Sequence, residues 1–316
     1  MSVRSRTSAA DQRGLAAVMA ILIVALAATI ASGLMWQQSM MMRQVENLAA
    51  RAQGREVARA AAAWAAVILA DDDPAVDHLQ EPWATPLPAV DVGEATVSGG
   101  LADETARFNL NNLVSEGKPV ATQVDAFRGA LGQLGLEASL ADALIDWIDP
   151  DSEPIAGGAE SGYYLTLDPP YNAANKPLTS LGELRLVRGF TDEVVGRLAP
   201  LVTVLPAASR INVNTASAQV MAAFVPEMPT LAVMRNRDQR PFLKPQDFLD
   251  LAPEEARARL GTLIAVSSSY FSARAVVTSG RARIAWHAIL ERGANPATGA
   301  QPKAWPRVLT FHEEPL

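Results

Sequence analysis

The stretch LAAVMAILIVALAATIASGLMW, residues 15–36, contains no charged residue and decides how the chain begins to fold. At 1.5 Å per residue it makes about 33 Å of helix, which matches a bilayer hydrocarbon core of roughly 30 Å. Arg4, Arg6 and Arg13 precede it against Asp11 alone. The positive-inside rule therefore predicts a single-pass protein with its N-terminus in the cytoplasm. Because the run is longer than a signal-peptide core and leads into further helix, it is predicted to be retained.

The next segment, from Gln37 to about Leu69, is rich in Ala, Arg, Gln and Glu and contains no proline. These residue types favour helix, so the same helix is predicted to continue through residues 37–70 and to end between Asp71 and Pro74. Apolar residues recur here at three- and four-residue spacing and predict a face that packs against a folded domain. They are Val45, Leu48, Ala49, Ala52, Val57, Ala60, Ala61, Trp64 and Ile68.

The C-terminal third has the alternation of apolar and polar residues that is typical of β-strands. Strands are predicted there at Tyr270–Thr278, Arg281–Arg292 and Arg307–Phe311. Earlier in the chain, two short segments, Ala95–Ser98 and Thr105–Asn109, predict a hairpin that turns at Gly99-Gly100. These segments together predict an antiparallel sheet whose strands come from two distant parts of the sequence.

Residues 111–267, between the two groups of strands, contain helix-like segments with proline-rich joints. The stretch is too long for a loop inside a compact domain, so it predicts an inserted all-α domain and an α+β fold. FNLNN at 108–112 and INVNT at 211–215 each precede a helix-rich part and indicate a weak internal repeat. Asn109, Asn112, Asn212 and Thr215 are predicted to serve as turn and N-cap residues.

The residues QRG at 12–14, followed by LAAVMAILIVALAAT, resemble a type IV prepilin leader. In that family a dedicated peptidase cuts before the apolar segment, after glycine, which implies cleavage between Gly14 and Leu15. Most pilins and pseudopilins have glutamate at the fifth mature position, where this chain has Met19. The resemblance assigns that departure to a filament-tip subunit, which has no neighbour above it to pair with a costly carboxylate. A plain signal anchor with a chance glycine is the alternative.

The most specific resemblance covers residues 146–189, DWIDPDSEPIAGGAESGYYLTLDPPYNAANKPLTSLGELRLVRG. With the leader and INVNTAS it is similar to protein K of type II secretion systems, a minor pseudopilin. The resemblance implies a periplasmic domain on an inner-membrane helix with a methylated N-terminus. It also implies assembly with minor pseudopilins I and J and the pseudopilus, and contact with the prepilin peptidase and the inner-membrane assembly platform.

The resemblance also gives a division of the chain and a fold. The parts are a prepilin leader (1–14), a transmembrane helix (15–36), its continuation (37–70), a pseudopilin α/β domain (71–110 and 268–316) and an inserted α-helical domain (111–267). The implied fold is α+β, with a pilin-like long helix, an antiparallel sheet and an insert of helix-hairpin-helix or SAM-like repeats.

An acidic loop follows a predicted helix that ends near Ile148. Its carboxylates occupy positions 1, 3, 5 and 12 of a twelve-residue window, the spacing of an EF-hand calcium loop: Asp149, Asp151, Glu153 and Glu160. The sixth position is Pro154, which cannot make the EF-hand turn, so a loop of another shape is expected. Asp168 or Asn175 could complete the ligands. The resemblance to protein K, a calcium-binding pseudopilin, implies calcium as the cofactor; a solvated acidic loop is the alternative.

Composition argues against several other functions. The formal net charge of -7 disfavours nucleic acid as a partner, because phosphate binding usually needs clustered Lys and Arg. The absence of cysteine excludes disulfides and thiolate chemistry. The three histidines are scattered, and neither H-E-x-x-H nor G-x-S-x-G occurs, so no catalytic residue and no enzyme activity are predicted.

One sequence motif suggests an alternative function. INVNTASAQVMAAF with the later RPFLKPQDFL resembles the helix-hairpin-helix module of DNA-uptake proteins, so a membrane-tethered DNA-uptake protein is the second reading. Those modules bring backbone N–H groups of a glycine-rich hairpin to a phosphate. The matching stretch Val225–Pro229 has no glycine and contains Glu227, which disfavours DNA. A membrane-anchored periplasmic enzyme is a more distant third.

Overall fold

The structure, a computed structural model, describes residues 9–280, 282–293 and 305–314, with side chains from Leu15 onward. Its first element is α1, Ala9–Asp71, a single helix that contains both the apolar run and its continuation. The side chains of residues 15–36 are all exposed, and the helix is long and apolar enough to cross a membrane. The predicted helix over 37–70 is confirmed. Residues 1–8 of the predicted leader lie outside the described residues.

The second half of α1 packs on a sheet through mostly small side chains. Gly54, Ala58, Ala62, Ala65 and Leu69 are buried at this contact. Their three- and four-residue spacing places them on one face of the helix. Because most of these side chains are small, the helix axis lies close to the strands.

The contact face predicted for α1 is wrong in part. Val57, Ala61 and Ile68 are partly buried, but the other predicted members are exposed: Val45, Leu48, Ala49, Ala52, Ala60 and Trp64. Val45, Leu48, Ala49 and Ala52 precede Gly54, the first buried residue of α1. In an alanine-rich helix, apolar spacing leaves more than one face eligible, and the packed face of the later part excludes Ala60 and Trp64.

The strands and the remaining helices are short compared with α1. The strands are β1 Leu87–Val92, β2 Ala95–Asp103, β3 Phe108–Asn109, β4 Val114–Ser115, β5 Lys118–Pro119, β6 Val202–Thr203, β7 Ile211–Asn212, β8 Ile264–Ala265, β9 Tyr270–Ser279, β10 Ala282–Glu291 and β11 Arg307–Glu314. The helices after α1 are α2 Ala121–Gln133, α3 Ser139–Ile148, α4 Ser161–Tyr164, α5 Asp192–Leu198, α6 Ala218–Phe224, α7 Thr230–Gln239, α8 Pro245–Leu249 and α9 Glu254–Leu263.

The sheet under α1 is antiparallel and has the strand order β1-β2-β9-β10-β11. Strands β9, β10 and β11 confirm the three predicted C-terminal strands. Two hydrophobic clusters lie between α1 and this sheet, one around Leu69, Trp83 and Phe271 and the other around Ala58 and Val277. The sheet domain therefore takes its core from both ends of the chain.

The hairpin predicted at Gly99-Gly100 is wrong. β2 runs through both glycines, and its hairpin is made with β1 through a turn at Gly93, whose φ is 63°. A Cβ atom at Gly99 would lie 2.0 Å from the carbonyl oxygen of Arg274 in β9. Glycine at this position therefore allows β2 and β9 to approach each other closely. Strand β3, the end of the second predicted strand, pairs in parallel with β6 instead.

Between β2 and β9 the chain forms α2 to α9 around a separate hydrophobic core, which runs in sequence from Phe108 to Val266. Phe108 stacks on Phe127 and Phe224, with ring centroids 6.0 and 4.6 Å apart. Phe108 and Leu110 pack with this helical part, although the predicted boundary at residue 111 assigned them to the sheet domain. The overall class is α+β.

Candidate functional site

The acidic loop connects the end of α3 to the start of α4. Asp149 is the C-cap of α3, and Glu160 is the N-cap of α4, where its side chain accepts a hydrogen bond from the N–H of Ser161 (3.3 Å). The chain between the caps folds back, so that one carboxylate oxygen from each of Asp149, Asp151 and Glu160 lies within 4.8 Å of the others. The loop thus gathers three of the four carboxylates in the predicted window.

Three oxygen atoms in this loop region have no hydrogen-bond partner. They are the buried Oδ1 of Asp149, Oε1 of Glu160 and Oδ1 of Asn175. The Nδ2 of Asn175 donates to the backbone carbonyl of Asp151 and lies 3.4 Å from Oγ of Ser152, which holds the amide beside the loop. Buried oxygens without partners are costly. Carboxylate and amide oxygens are also the ligands that calcium prefers, so the donor set fits this cation.

The electrostatics of the loop favour a cation. Burial, the larger cause, and the neighbouring carboxylates of Asp151 and Asp146 together raise the pKa of Asp149 to about 6 and that of Glu160 to about 7. Each of these groups is therefore hard to ionise beside the others. A divalent cation would offset both the mutual repulsion and the loss of hydration.

Asp146 belongs to this site, although sequence reasoning did not select it as a ligand. It is fully buried in α3, and both its carboxylate oxygens lie 3.3 Å from the N–H of Ile155. A Cβ atom at Gly158 would lie 2.0 Å from Oδ2 of Asp146, so the loop closes over this carboxylate only with glycine. Burial also raises the pKa of Asp146. In the sequence, the position of Asp146 one helical turn before Asp149 could have identified it as part of the site.

Glu153 and Asp168, two other predicted ligands, lie outside the carboxylate cluster. Both are exposed, and within the described residues neither joins the group of oxygens around Asp149. Glu153 acts through its backbone instead, because its N–H donates to Oδ1 of Asp151 (2.9 Å). The fifth position of the window therefore does not face the cluster, as expected of a loop without the EF-hand glycine turn.

The motif INVNT joins the helical part to the sheet domain. The Nδ2 of Asn212 lies 3.1 Å from the backbone carbonyl of Asp77, 3.3 Å from Oδ2 of Asp103 and 2.8 Å from Oγ of Ser268. Oγ1 of Thr215 donates to the same Asp103 oxygen at 2.5 Å. These partners come from the segment after α1, the end of β2 and the segment before β9. We call these five residues the junction cluster.

Arg292 supplies the cation next to the junction cluster. Its Nη1 lies 2.7 Å from Oδ1 of Asp77 and its Nη2 lies 2.7 Å from Oδ2 of Asp72, while its guanidinium lies 4.7 Å from the ring centroid of Phe271. Burial raises the pKa of Asp77 to about 7 even though Arg292 lowers it. Glu81 also lies near these two aspartates. Because the arginine already pairs with both, we read this acidic group as a structural ion-pair network.

The two asparagine motifs have the same local structure. β3 pairs in parallel with β6, and β7 pairs in parallel with β8. In each motif the first asparagine, Asn109 or Asn212, accepts a hydrogen bond from the N–H two residues further on (3.2 and 3.0 Å). The weak repeat is therefore present in the fold. Thr215 lies in the turn after β7, as predicted for a turn or N-cap residue, and Ser217 is the residue that caps α6.

Helices α6 and α7 form the hairpin that resembles a helix-hairpin-helix module. The carboxylate of Glu227, in the connection Val225–Pro229, lies 2.6 Å from Nη2 of Arg259. The asparagine side chain of Asn214 exchanges two hydrogen bonds with the backbone of Phe242 (3.0 and 2.9 Å). These polar side chains of the motif thus make hydrogen bonds and ion pairs inside the protein, and the hairpin between α6 and α7 contains a carboxylate.

The predicted processing residues, Gly14, Leu15 and Met19, all lie within α1. Leu15 and Met19 are exposed on the apolar half of that helix. Cleavage between Gly14 and Leu15 stays a prediction, as does the tip-determining role of Met19.

Comparison with known proteins gives consistent matches. Family models described as type II secretion system (T2SS), protein K, match residues 106–207 and 211–267. The type II secretion system protein K of Pseudomonas aeruginosa is 33% identical over 89% of each chain. That of Aeromonas hydrophila is 31% identical over 89% of this chain and 93% of its own.

A solved structure shares the fold. A chain of the GspK-GspI-GspJ complex from enterotoxigenic Escherichia coli matches with a TM-score of 0.71 and 24% identity, over 86% of this chain and all of its own. With the family models and the relatives above 30% identity, the chain belongs to the protein K family of the type II secretion system.

Proposed function

We propose that this chain is a minor pseudopilin at the tip of the type II secretion pseudopilus, where it helps to initiate and cap assembly for protein export across the outer membrane. The observation that carries the proposal is α1, whose exposed apolar half continues without a break into a half packed on the sheet. A subunit stored in the inner membrane, with its domain in the periplasm, needs such a helix. The same helix can then enter a filament.

The tip position is supported by Met19. In a filament, a carboxylate at this position would pair with the N-terminal ammonium of a neighbouring subunit, and in lipid it would be costly without that partner. Methionine removes both the cost and the pairing. A subunit with no neighbour above it loses nothing by this substitution.

Processing should depend on Gly14. Replacing Gly14 with valine is expected to abolish cleavage by prepilin peptidase, because the peptidase reads glycine at the end of the leader. N-terminal sequencing should show the wild-type protein beginning at Leu15 and the variant keeping its leader. Gly33→Ala is the matched control, since Gly33 lies in the same helix with open space around it and should be processed normally. A wild-type chain that begins at Met1 would contradict the assignment.

We propose that the partners are pseudopilins of types I and J, as the name of the GspK-GspI-GspJ complex suggests. The helix α1 offers apolar surface for them, since Val45, Leu48 and Trp64 are exposed along it. Exposed aromatic and aliphatic side chains of a helix are the usual anchors of helix–helix interfaces.

The partner proposal is tested by co-purification of the full-length chain with its type I and type J counterparts in detergent. Trp64→Glu is expected to reduce recovery of the complex about tenfold, as for an interface hot spot. Trp305→Glu is the matched control, because Trp305 is similarly exposed (61% against 50%) but lies beside β11. Absence of a complex with the wild-type chain, or equal loss in both variants, would count against the proposal.

We infer that Asp149, Asp151, Glu160 and Asn175 hold a calcium ion. The support is the gathering of three carboxylates and the three buried oxygens without partners. Bound calcium would act structurally, by neutralising the carboxylates and fixing the loop between α3 and α4. Backbone carbonyls and water would supply the remaining oxygens.

The DNA-uptake alternative gains no support from the residues of its motif. Asn212 and Asn214 are used in internal hydrogen bonds, and Glu227 lies in the hairpin that would face a phosphate. A DNA-retention assay at low salt should therefore show no binding by this chain. Retention that weakens steeply with salt would reopen this alternative.

A further inference from the structure

Two of the three histidines lie side by side on the sheet. His287 in β10 and His312 in β11 are directly opposite each other in the antiparallel register. Their ring centroids are 5.2 Å apart and the rings are tilted by 54°. Trp286 and Phe311, the residues next to them, stack on each other on the α1 side. Because side chains alternate along a strand, the histidines lie on the sheet face away from α1.

This separation matches two imidazoles that share one metal ion. In a tetrahedral zinc site each nitrogen lies about 2.0–2.1 Å from the metal, and the ring centre lies about 1 Å behind it, so two bound rings have centres about 5 Å apart. We propose that His287 and His312 form a site for a borderline transition-metal dication such as Zn²⁺, separate from the carboxylate loop. Imidazole nitrogen suits zinc or copper, whereas calcium prefers oxygen.

The surroundings of the pair are compatible with this role. Glu314 lies two residues beyond His312 on the same strand face and could add a carboxylate ligand, although its Oε2 now lies 2.8 Å from Nε of Arg274. Glu104 and Arg107, which pair with each other at 2.5 Å, also lie near His287.

The position of the site gives it a structural consequence. β11 is an edge strand that is hydrogen-bonded to β10 alone within the described sheet. A metal held by one histidine from each strand would cross-link β11 to β10. Edge strands are the parts of a sheet that open most easily, so the ion would protect this edge.

The proposal is tested with Zn²⁺ on the full-length chain in detergent, in the presence of saturating Ca²⁺ to occupy the carboxylate loop. Calorimetry should detect one zinc per chain, with affinity lowered at least tenfold in His287→Gln and in His312→Gln. His78→Gln, the third histidine, is the control and should bind as the wild type does. With Cu²⁺ in place of Zn²⁺, electron paramagnetic resonance should show two coordinated nitrogens, and each variant of the pair should lose at least one of them.

Two results would overturn the proposal: no saturable zinc heat in the wild-type chain, or unchanged affinity in His312→Gln. His312 is exposed, so that variant should fold even if the half-buried His287 tolerates change less well. Circular dichroism identifies a variant that fails to fold, and His312→Gln then decides alone.

Discussion

Replacing Arg292 with methionine is expected to lower the free energy of unfolding above pH 7 by about 3–5 kcal/mol, because removal of one partner from a buried ion pair leaves the other charge uncompensated. Arg292 is 4% exposed and pairs with Asp77 and Asp72. Methionine keeps an apolar contact with Phe271, so the loss reports charge more than packing. The loss in the free energy of unfolding is measured by denaturant unfolding of the detergent-solubilised chain, with tryptophan fluorescence as the signal.

Two further variants separate the buried charge from a general effect of arginine removal. Adding Asp77→Asn to the Arg292 variant should recover part of the lost stability, since it removes the unpaired charge. Arg274→Met is the matched control: Arg274 pairs with Glu314 at 2.8 Å, but its side chain is 55% exposed. It should cost about 1 kcal/mol or less. Equal losses at Arg274 and Arg292 would contradict the argument.

The pH dependence of the Arg292 variant follows from Asp77. Its folded-state pKa is raised from 3.8 to about 7, so between these values the folded state holds a proton that the unfolded state has lost. Stability contributed by this group therefore falls as the pH rises through that window. Without Arg292 the pKa rises further. The variant should accordingly lose most stability above pH 7 and least near pH 5.

Calcium in hundredfold excess over its dissociation constant is expected to stabilise the protein by about 2.7 kcal/mol. For a domain of this size, that corresponds to a rise of about 5–10 °C in melting temperature. The physical reason is that the ion replaces the repulsion among Asp149, Asp151 and Glu160 with attraction and satisfies their buried oxygens. Thermal unfolding with and without chelator measures the shift.

Asp151→Asn and Glu160→Gln should each abolish the calcium-dependent shift while leaving a folded protein, because each removes a charge but keeps an oxygen. The double change Glu254→Gln with Glu255→Gln is the matched control, since both carboxylates are exposed at the start of α9. It should leave the shift unchanged. If calorimetry detects no calcium heat and the wild-type melting temperature does not move, the loop is only a solvated acidic turn.

The raised pKa values of the loop carboxylates determine how calcium binding depends on pH. Asp149 and Glu160 have folded-state pKa values raised to about 6 and about 7, so the calcium-free folded state holds protons that the unfolded chain releases near pH 4. Stability without calcium should therefore fall as the pH rises from about 4 to about 7. Calcium binds the ionised carboxylates, so its affinity and its stabilising effect should grow across the same window.

Much of this protein follows from local sequence. The uncharged run at 15–36 fixes a membrane-length helix, because a single segment in lipid satisfies its own backbone hydrogen bonds only as a helix. The proline-free segment after it extends that helix to Asp71, and alternation locates β9, β10 and β11. The acidic spacing after Ile148 also locates the loop in which three carboxylates lie together. In each case the information lies within one element, where period and residue type suffice.

Other features were decided only by tertiary structure. The buried face of α1 depends on which side chains let it approach the sheet, so Ala58 is buried and Trp64 is exposed. Asn175 enters the acidic site, and Glu153 leaves it, through the path of the loop rather than through spacing. The junction at Asp77 and Arg292 joins groups 215 residues apart. Such contacts depend on how separate elements pack in space, which residue periodicity along one segment does not encode.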